Sequence, residues 1–187
     1  MDTRAYRLDC LRASATTVFE VDDAALLGAK RTALAAADHS PLVPVVDVAA
    51  DAADAEAVGL ALASAGLDPA LPTMWIIEGL LEYLSPSAHP GLFRLASERG
   101  GAAGSRLAMQ VLEPSWAQRV LQLGAKELPY AELDDSEVTA RAVRAAGWGT
   151  VRIVRQEGFW TRYGRETHEG FTMVFASDDL RSIYDLT

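Results

Sequence analysis

Three stretches of almost unbroken apolar character each close on a carboxylate: residues 16–22 end on Asp22, residues 41–47 on Asp47, and residues 72–78 on Glu78. Apolar runs without polar alternation suit strands of a parallel sheet covered on both faces, so each predicts a buried parallel strand. Pro41 and Pro44 remove backbone donors and favour an edge position for the second. Between them, residues 23–37 are rich in Ala and Leu, with Lys30 and Arg31 toward the end, and predict a helix. Residues 49–65 predict another, its acids placed at the positive end. Ser85 and Pro86 predict an N-cap and first-turn proline for a helix running through Arg99. Residues 105–113 form a fourth strand candidate, and Pro114 opens a helical stretch toward Leu123. Acids and Ser136 cap an amphipathic helix that ends at Gly147. Residues 151–154 and 171–176 then predict two strands with no helix between, hence an antiparallel pair around a loop carrying Phe159, Trp160 and Tyr163. The expected fold class is α/β, mainly parallel, with a C-terminal antiparallel hairpin.

With 187 residues the chain predicts one domain. The net charge of -9 and the lack of any Lys/Arg-rich block exclude a phosphate-backbone partner, because affinity for nucleic acid rests on cationic contacts. Cys10 stands alone, which excludes an intrachain disulfide and a thiolate cluster and predicts a small core or half-buried thiol. His39, His89 and His168 are widely separated and predict surface or loop residues, not metal ligands. No apolar stretch has the length of a membrane span and no signal opens the chain, so no membrane partner and a cytoplasmic location are expected. Residues 100–104 are glycine-rich, but they follow a helix and open a strand; a phosphate loop has the opposite order, so they predict a plain connection.

Open α/β sheets bind ligands beyond the carboxyl ends of their strands. Asp22, Asp47 and Glu78 are therefore expected on one rim of one sheet. A nucleoside ligand explains the first two, since one carboxylate accepts from both ribose hydroxyls and another from the adenine amino group. In nucleotide-binding α/β folds the ribose acid lies ~20 residues past a glycine-rich turn. Counting back from Asp22 reaches the first residues of the chain, so that turn is expected ahead of Met1.

The ordered blocks carry a resemblance. Residues 1–8 resemble the end of the GxGxDTRxxRL signature of the leucine carboxyl methyltransferase family; residues 18–22 are similar to its FEVD segment, 43–48 to its third-strand segment, and 72–84 to its PTxxxxEGxxxYL block. The resemblance runs over about residues 2–86 and thins to Ala145-Ala146-Gly147-Trp148 and the last strand. It implies a Rossmann-like class I methyltransferase sheet using S-adenosyl-L-methionine. It further implies that Asp22 binds the cofactor ribose, that Asp47 with the Val48 amide holds adenine, that Asp2 and Arg4 belong to the cofactor loop, and that Glu78 lies by the methionine portion or the acceptor. Tyr83 would line the acceptor side, with Glu78 and Tyr83 as the catalytic candidates. The acceptor would be a carboxylate or another oxygen, on a protein C-terminus or a small molecule; a hydroxyl acceptor would need a base, for which Glu78, Glu82 and His168 are the candidates. Family members carry a helical region, a first strand and the glycine turn before this point. Residues 1–187 are thus expected to be one incomplete methyltransferase domain lacking that strand and turn, with weak or undetectable cofactor binding. The alternatives are a catalytically inactive remnant serving as a scaffold or binding protein, and a different nucleotide-binding enzyme such as a dehydrogenase.

Overall fold

The computed structural model describes residues 2–100, 102–114, 117, 134–155 and 171–177. They divide into two compact units, Met1–Leu67 and Asp68–Thr187. In the first unit, short helices α1 (Arg4–Arg7) and α2 (Cys10–Ser14) lead into strand β1 (Val18–Asp22), helix α3 (Ala24–Ala36), strand β2 (Val45–Ala49) and helix α4 (Ala55–Ser64). β1 and β2 are parallel, with Val18 opposite Val45, Glu20 opposite Asp47 and Asp22 opposite Ala49. The second strand begins four residues later than the apolar run. Pro44 has no donor, yet its carbonyl accepts from the Val18 amide at 2.9 Å, so it opens the ladder without being part of it. One consequence is that Asp47 stands in the middle of β2, and Ala49, not Asp47, ends the strand. The following helix starts at Ala55 and not at residue 49, because Asp54 supplies the cap, its carboxylate accepting from the Ala57 amide at 3.0 Å. Leu27, Val48, Val58 and Leu62 form the buried apolar centre of this unit.

The second unit holds strand β3 (Met74–Ile77), a 3₁₀ turn Leu81–Tyr83, helix α5 (His89–Arg99), strand β4 (Arg106–Leu112), helix α6 (Ser136–Ala145) and strands β5 (Thr150–Arg155) and β6 (Phe171–Ser177). The four strands lie in the order β3-β4-β6-β5. β3 and β4 are parallel, Ile77 opposite Met109, while β6 inserts antiparallel between β4 and β5. The antiparallel finish is as the sequence predicts; the strands, however, form two sheets where one was expected. β3 is also less buried than its apolar run suggests. It is the edge strand of its sheet, and Met74 and Ile76, on alternate positions, are 49% and 46% exposed. Helix α5 begins at His89 with Pro90 in its first turn, later than Ser85 implied. The Ser85 hydroxyl is engaged with the Ser87 hydroxyl at 2.8 Å and so does not cap the helix. Cys10 is exposed, contrary to expectation.

The core of the second unit lies where α5 and α6 meet and where α6 covers the sheet: Phe93, Ala96, Met109, Ala140, Val143 and Val174 are all fully buried. The glycine-rich connection joins α5 to β4 as predicted. Gly100 ends α5 against the Trp75 indole, and a β-carbon there would collide with the Trp75 ring nitrogen and sit 2.7 Å from the Ala96 carbonyl oxygen. Gly100→Ala is therefore expected to destabilise this unit by about 1–3 kcal/mol, the usual cost of overpacking. Urea unfolding followed by tryptophan fluorescence reads it, and an unchanged midpoint would show that Trp75 moves aside freely.

Candidate functional site

In the first unit the alternation of side chains along a strand and the register place Glu20, Asp22 and Asp47 on one face of the β1–β2 pair. Asp22 is the last residue of β1. One of its carboxylate oxygens accepts from the Asp23 amide at 2.8 Å, which orients the group, and Asp23 in turn caps α3 through the Ala25 amide at 2.8 Å. Asp22 thus stands exposed at the positive end of a thirteen-residue helix. Asp47 is half-buried. Arg31 of α3 brings Nε to 2.8 Å from Asp47 Oδ2, but off the line of the N–H, so this buried oxygen has a cation beside it and no hydrogen bond. The Arg31 side chain is two-thirds exposed, so solvent weakens the pair and it is readily exchanged for another partner. Val48 is buried on the other face.

The same face carries a second ion pair that the sequence reading did not anticipate. Lys30 of α3 reaches Glu20 of β1 in a short, buried contact, and its ammonium lies 5.4 Å from the centre of the Tyr6 ring. The signal was present: Glu20 and Asp22 are two apart on a strand, so both acids had to share a face. Asp2 and Arg4 are paired with each other, Asp2 accepting from the Arg4 amide and from Arg4 Nε, both at 2.8 Å. The pair opens α1 and fixes the first described turn of the chain.

In the second unit Glu78 directly follows β3 and is exposed. Gly79 then takes a positive φ of 60°, which side-chain-bearing residues rarely adopt, and turns the chain into the 3₁₀ segment. Tyr83 at its end is exposed and Glu82 beside it is buried. His89 corrects the expectation of a surface histidine: it is 3% exposed, its Nε2 lies 3.1 Å from the Leu81 carbonyl oxygen and its Nδ1 3.8 Å from Asp134 Oδ2. A single histidine in a helix start gave the sequence no sign of this, because the partners come from a turn eight residues back and from the approach to α6. Glu113, one residue past β4, holds a buried oxygen with no hydrogen-bond partner among the described residues. His168 and the Phe159, Trp160 and Tyr163 cluster lie outside the described residues. Among the described residues no three His, Cys, Asp or Glu side chains could hold a metal ion, and no helix is long and apolar enough to cross a membrane.

Comparison with known proteins gives the family and the fold. Residues 1–97 match the family model for leucine carboxyl methyltransferase. A protein of Mycolicibacterium gilvum named as an S-adenosyl-L-methionine-dependent methyltransferase is 32% identical over 93% of this chain and 61% of its own length. One of Mycolicibacterium paratuberculosis with the same name is 43% identical over 60% of this chain and 34% of its own. The chain thus spans between about a third and three fifths of these relatives. Among solved structures, a SAM dependent methyltransferase from Archaeoglobus fulgidus aligns with a TM-score of 0.56 at 12% identity, covering 84% of this chain and 74% of its own. Human N-acetylserotonin methyltransferase in complex with SAM aligns at 0.54 and 11% identity, covering 90% of this chain and 42% of its own. The fold is that of the Rossmann-like methyltransferases.

Proposed function

Because the chain belongs to the leucine carboxyl methyltransferase family, we propose that it serves methyl transfer from S-adenosyl-L-methionine to an oxygen acceptor, a carboxylate in the first instance. The observation that carries this is the acidic face of β1–β2. Asp22 ends β1 with its carboxylate aimed by the Asp23 amide, and Asp47 offers, two residues lower on the neighbouring strand, a buried oxygen that lacks a hydrogen-bond donor. A nucleoside fits that pair of acceptors. The two ribose hydroxyls donate to Asp22, and the adenine amino group supplies the donor that Asp47 Oδ2 lacks, with the Val48 amide as a further contact. Asp2 and Arg4, tied together at the start of α1, shape the loop toward the amino-acid portion.

When bound, the cofactor supplies an electrophilic methyl group on a sulfonium. The residues of the chain then have only to bind, orient and exclude water, because the displacement needs no covalent enzyme intermediate and holding the acceptor oxygen in line supplies most of the acceleration. A carboxylate acceptor is already ionised at neutral pH and needs no general base. Glu78 and Tyr83, both exposed beyond β3, are assigned to the acceptor side.

Incubation with methyl-labelled S-adenosyl-L-methionine and a mixture of small acids and peptides ending in free carboxylates tests the reading. Label that mild alkali releases as methanol is expected, since only a methyl ester is so cleaved. Alkali-stable label would reject the carboxylate, and no incorporation would reject the transfer itself.

A further inference from the structure

Helix α3 sets two adjacent cations against two acids that stand opposite each other in the register, Glu20 and Asp47, and the two pairs differ in kind. Lys30 closes on Glu20 with both side chains largely buried, and its ammonium also faces the Tyr6 ring, so that pair is locked. Arg31 reaches Asp47 with a side chain that is 66% exposed, against 17% for the carboxylate. Its Nε lies 2.8 Å from Asp47 Oδ2, yet that oxygen is buried and accepts no hydrogen bond among the described residues. The attraction is therefore Coulombic alone, and solvent on the arginine side weakens it. A charge-assisted hydrogen bond owes its strength to alignment as well as to charge, and here the alignment is missing. Asp47 Oδ2 thus has a partner that leaves the stronger interaction unmade. An N–H donor aimed at this oxygen forms the bond that the guanidinium does not, and an exposed arginine loses little on turning back to water.

We propose that Arg31 is an internal competitor for the nucleobase: the guanidinium and the 6-amino group of adenine contend for Asp47 Oδ2, and the bound base turns Arg31 out into solvent. This rests on the nucleoside assignment of Asp22 and Asp47, and it adds a residue that sets base selectivity. A purine without the amino group has no donor for the oxygen, so the Arg31–Asp47 pair persists beside it. Arg31 consequently lowers the affinity for an aminopurine. It does not lower that for an unsubstituted purine, which in the absence of the cation would cover a carboxylate left without any partner.

The experiment titrates the ¹⁵N-labelled chain and its Arg31→Met variant with adenosine and with purine riboside, which is adenosine without the 6-amino group. Both probes are uncharged, so the charge lost at residue 31 does not act on them directly, and methionine keeps an apolar stem while offering Asp47 no donor. Read at the Val48 and Ala49 amides, the Kd of adenosine is expected to fall about two- to fivefold in Arg31→Met, the range of an ion pair exposed on one side. That of purine riboside is expected not to fall. A second arm needs no folded variant: raising potassium chloride from about 0.05 to about 0.5 M screens the Arg31–Asp47 pair, so adenosine should bind the parent more tightly while purine riboside does not. An adenosine Kd that is unchanged or higher in Arg31→Met, an equal fall for both probes, or an equal salt response of both probes in the parent overturns the competition and leaves the nucleoside assignment standing. Adenosine shifts that fail to saturate in both proteins reject the nucleoside assignment itself, and the competition with it.

Discussion

Lys30→Met is expected to loosen the first unit by about 3–5 kcal/mol, the cost of leaving one member of a buried ion pair without its partner. Lys30 and Glu20 are both largely buried in close contact, and the Lys30 ammonium also faces the Tyr6 ring. Removing the cation leaves the Glu20 carboxylate between β1 and α3, where water reaches it only in part. Amide hydrogen exchange at Val21 and Val46 reads this unit alone and should accelerate by at least about a hundredfold, since each 1.4 kcal/mol is a factor of ten. The double replacement Glu20→Leu with Lys30→Met should restore most of the protection, because the desolvation cost of both charges disappears together. If the single and double variants exchange alike, the pair contributes packing rather than charge balance.

Phe93→Ala should cost the second unit a similar amount. Phe93 is fully buried on α5 amid Ala96, Met109, Ala140 and Val143, with its ring 6.1 Å from that of His89. Truncation removes the transfer free energy of the ring and leaves a cavity that helix and sheet cannot both move to fill, typically about 3–5 kcal/mol. All four tryptophans fall within residues 68–187, so fluorescence follows this unit. With an m-value of about 1–3 kcal/mol/M, the urea midpoint should fall on the order of 2 M. A shift of only a few tenths would mean that the site collapses around the smaller side chain.

The fold was legible wherever a local pattern decided the structure. The strands at Asp22 and just before Glu78, the capped helix ending before Gly147 and the antiparallel finish all depend on neighbours in sequence and form as read, although the two strands are less buried than their apolar runs predict. Asp47 was misplaced by two residues because the prolines ahead of it look like strand in composition, while the ladder admits them only through the Pro44 carbonyl. The exposure of Met74 and Ile76 was hidden for a different reason: an edge strand and a central strand can share one apolar run, and only the order of strands separates them. The candidate site divides along the same line. Asp22 and Glu78 follow from strand ends, whereas the Lys30–Glu20 and Arg31–Asp47 pairs and the buried His89 depend on how a helix lies over a sheet, which spacing along the chain does not encode.

The nucleoside assignment of Asp22 and Asp47 is tested most directly by titrating the ¹⁵N-labelled chain with S-adenosylhomocysteine, because amide shifts register even weak binding residue by residue. The amides of Asp22, Asp23, Val48 and Ala49 are expected to move together along one saturable curve. In Asp22→Ala the same curve should shift to at least about tenfold higher ligand concentration, as loss of a charged acceptor for two hydroxyls implies. Shifts that fail to saturate at these four amides, or an Asp22→Ala titration that overlays that of the parent, would contradict it and leave Asp22 an ordinary solvated strand end.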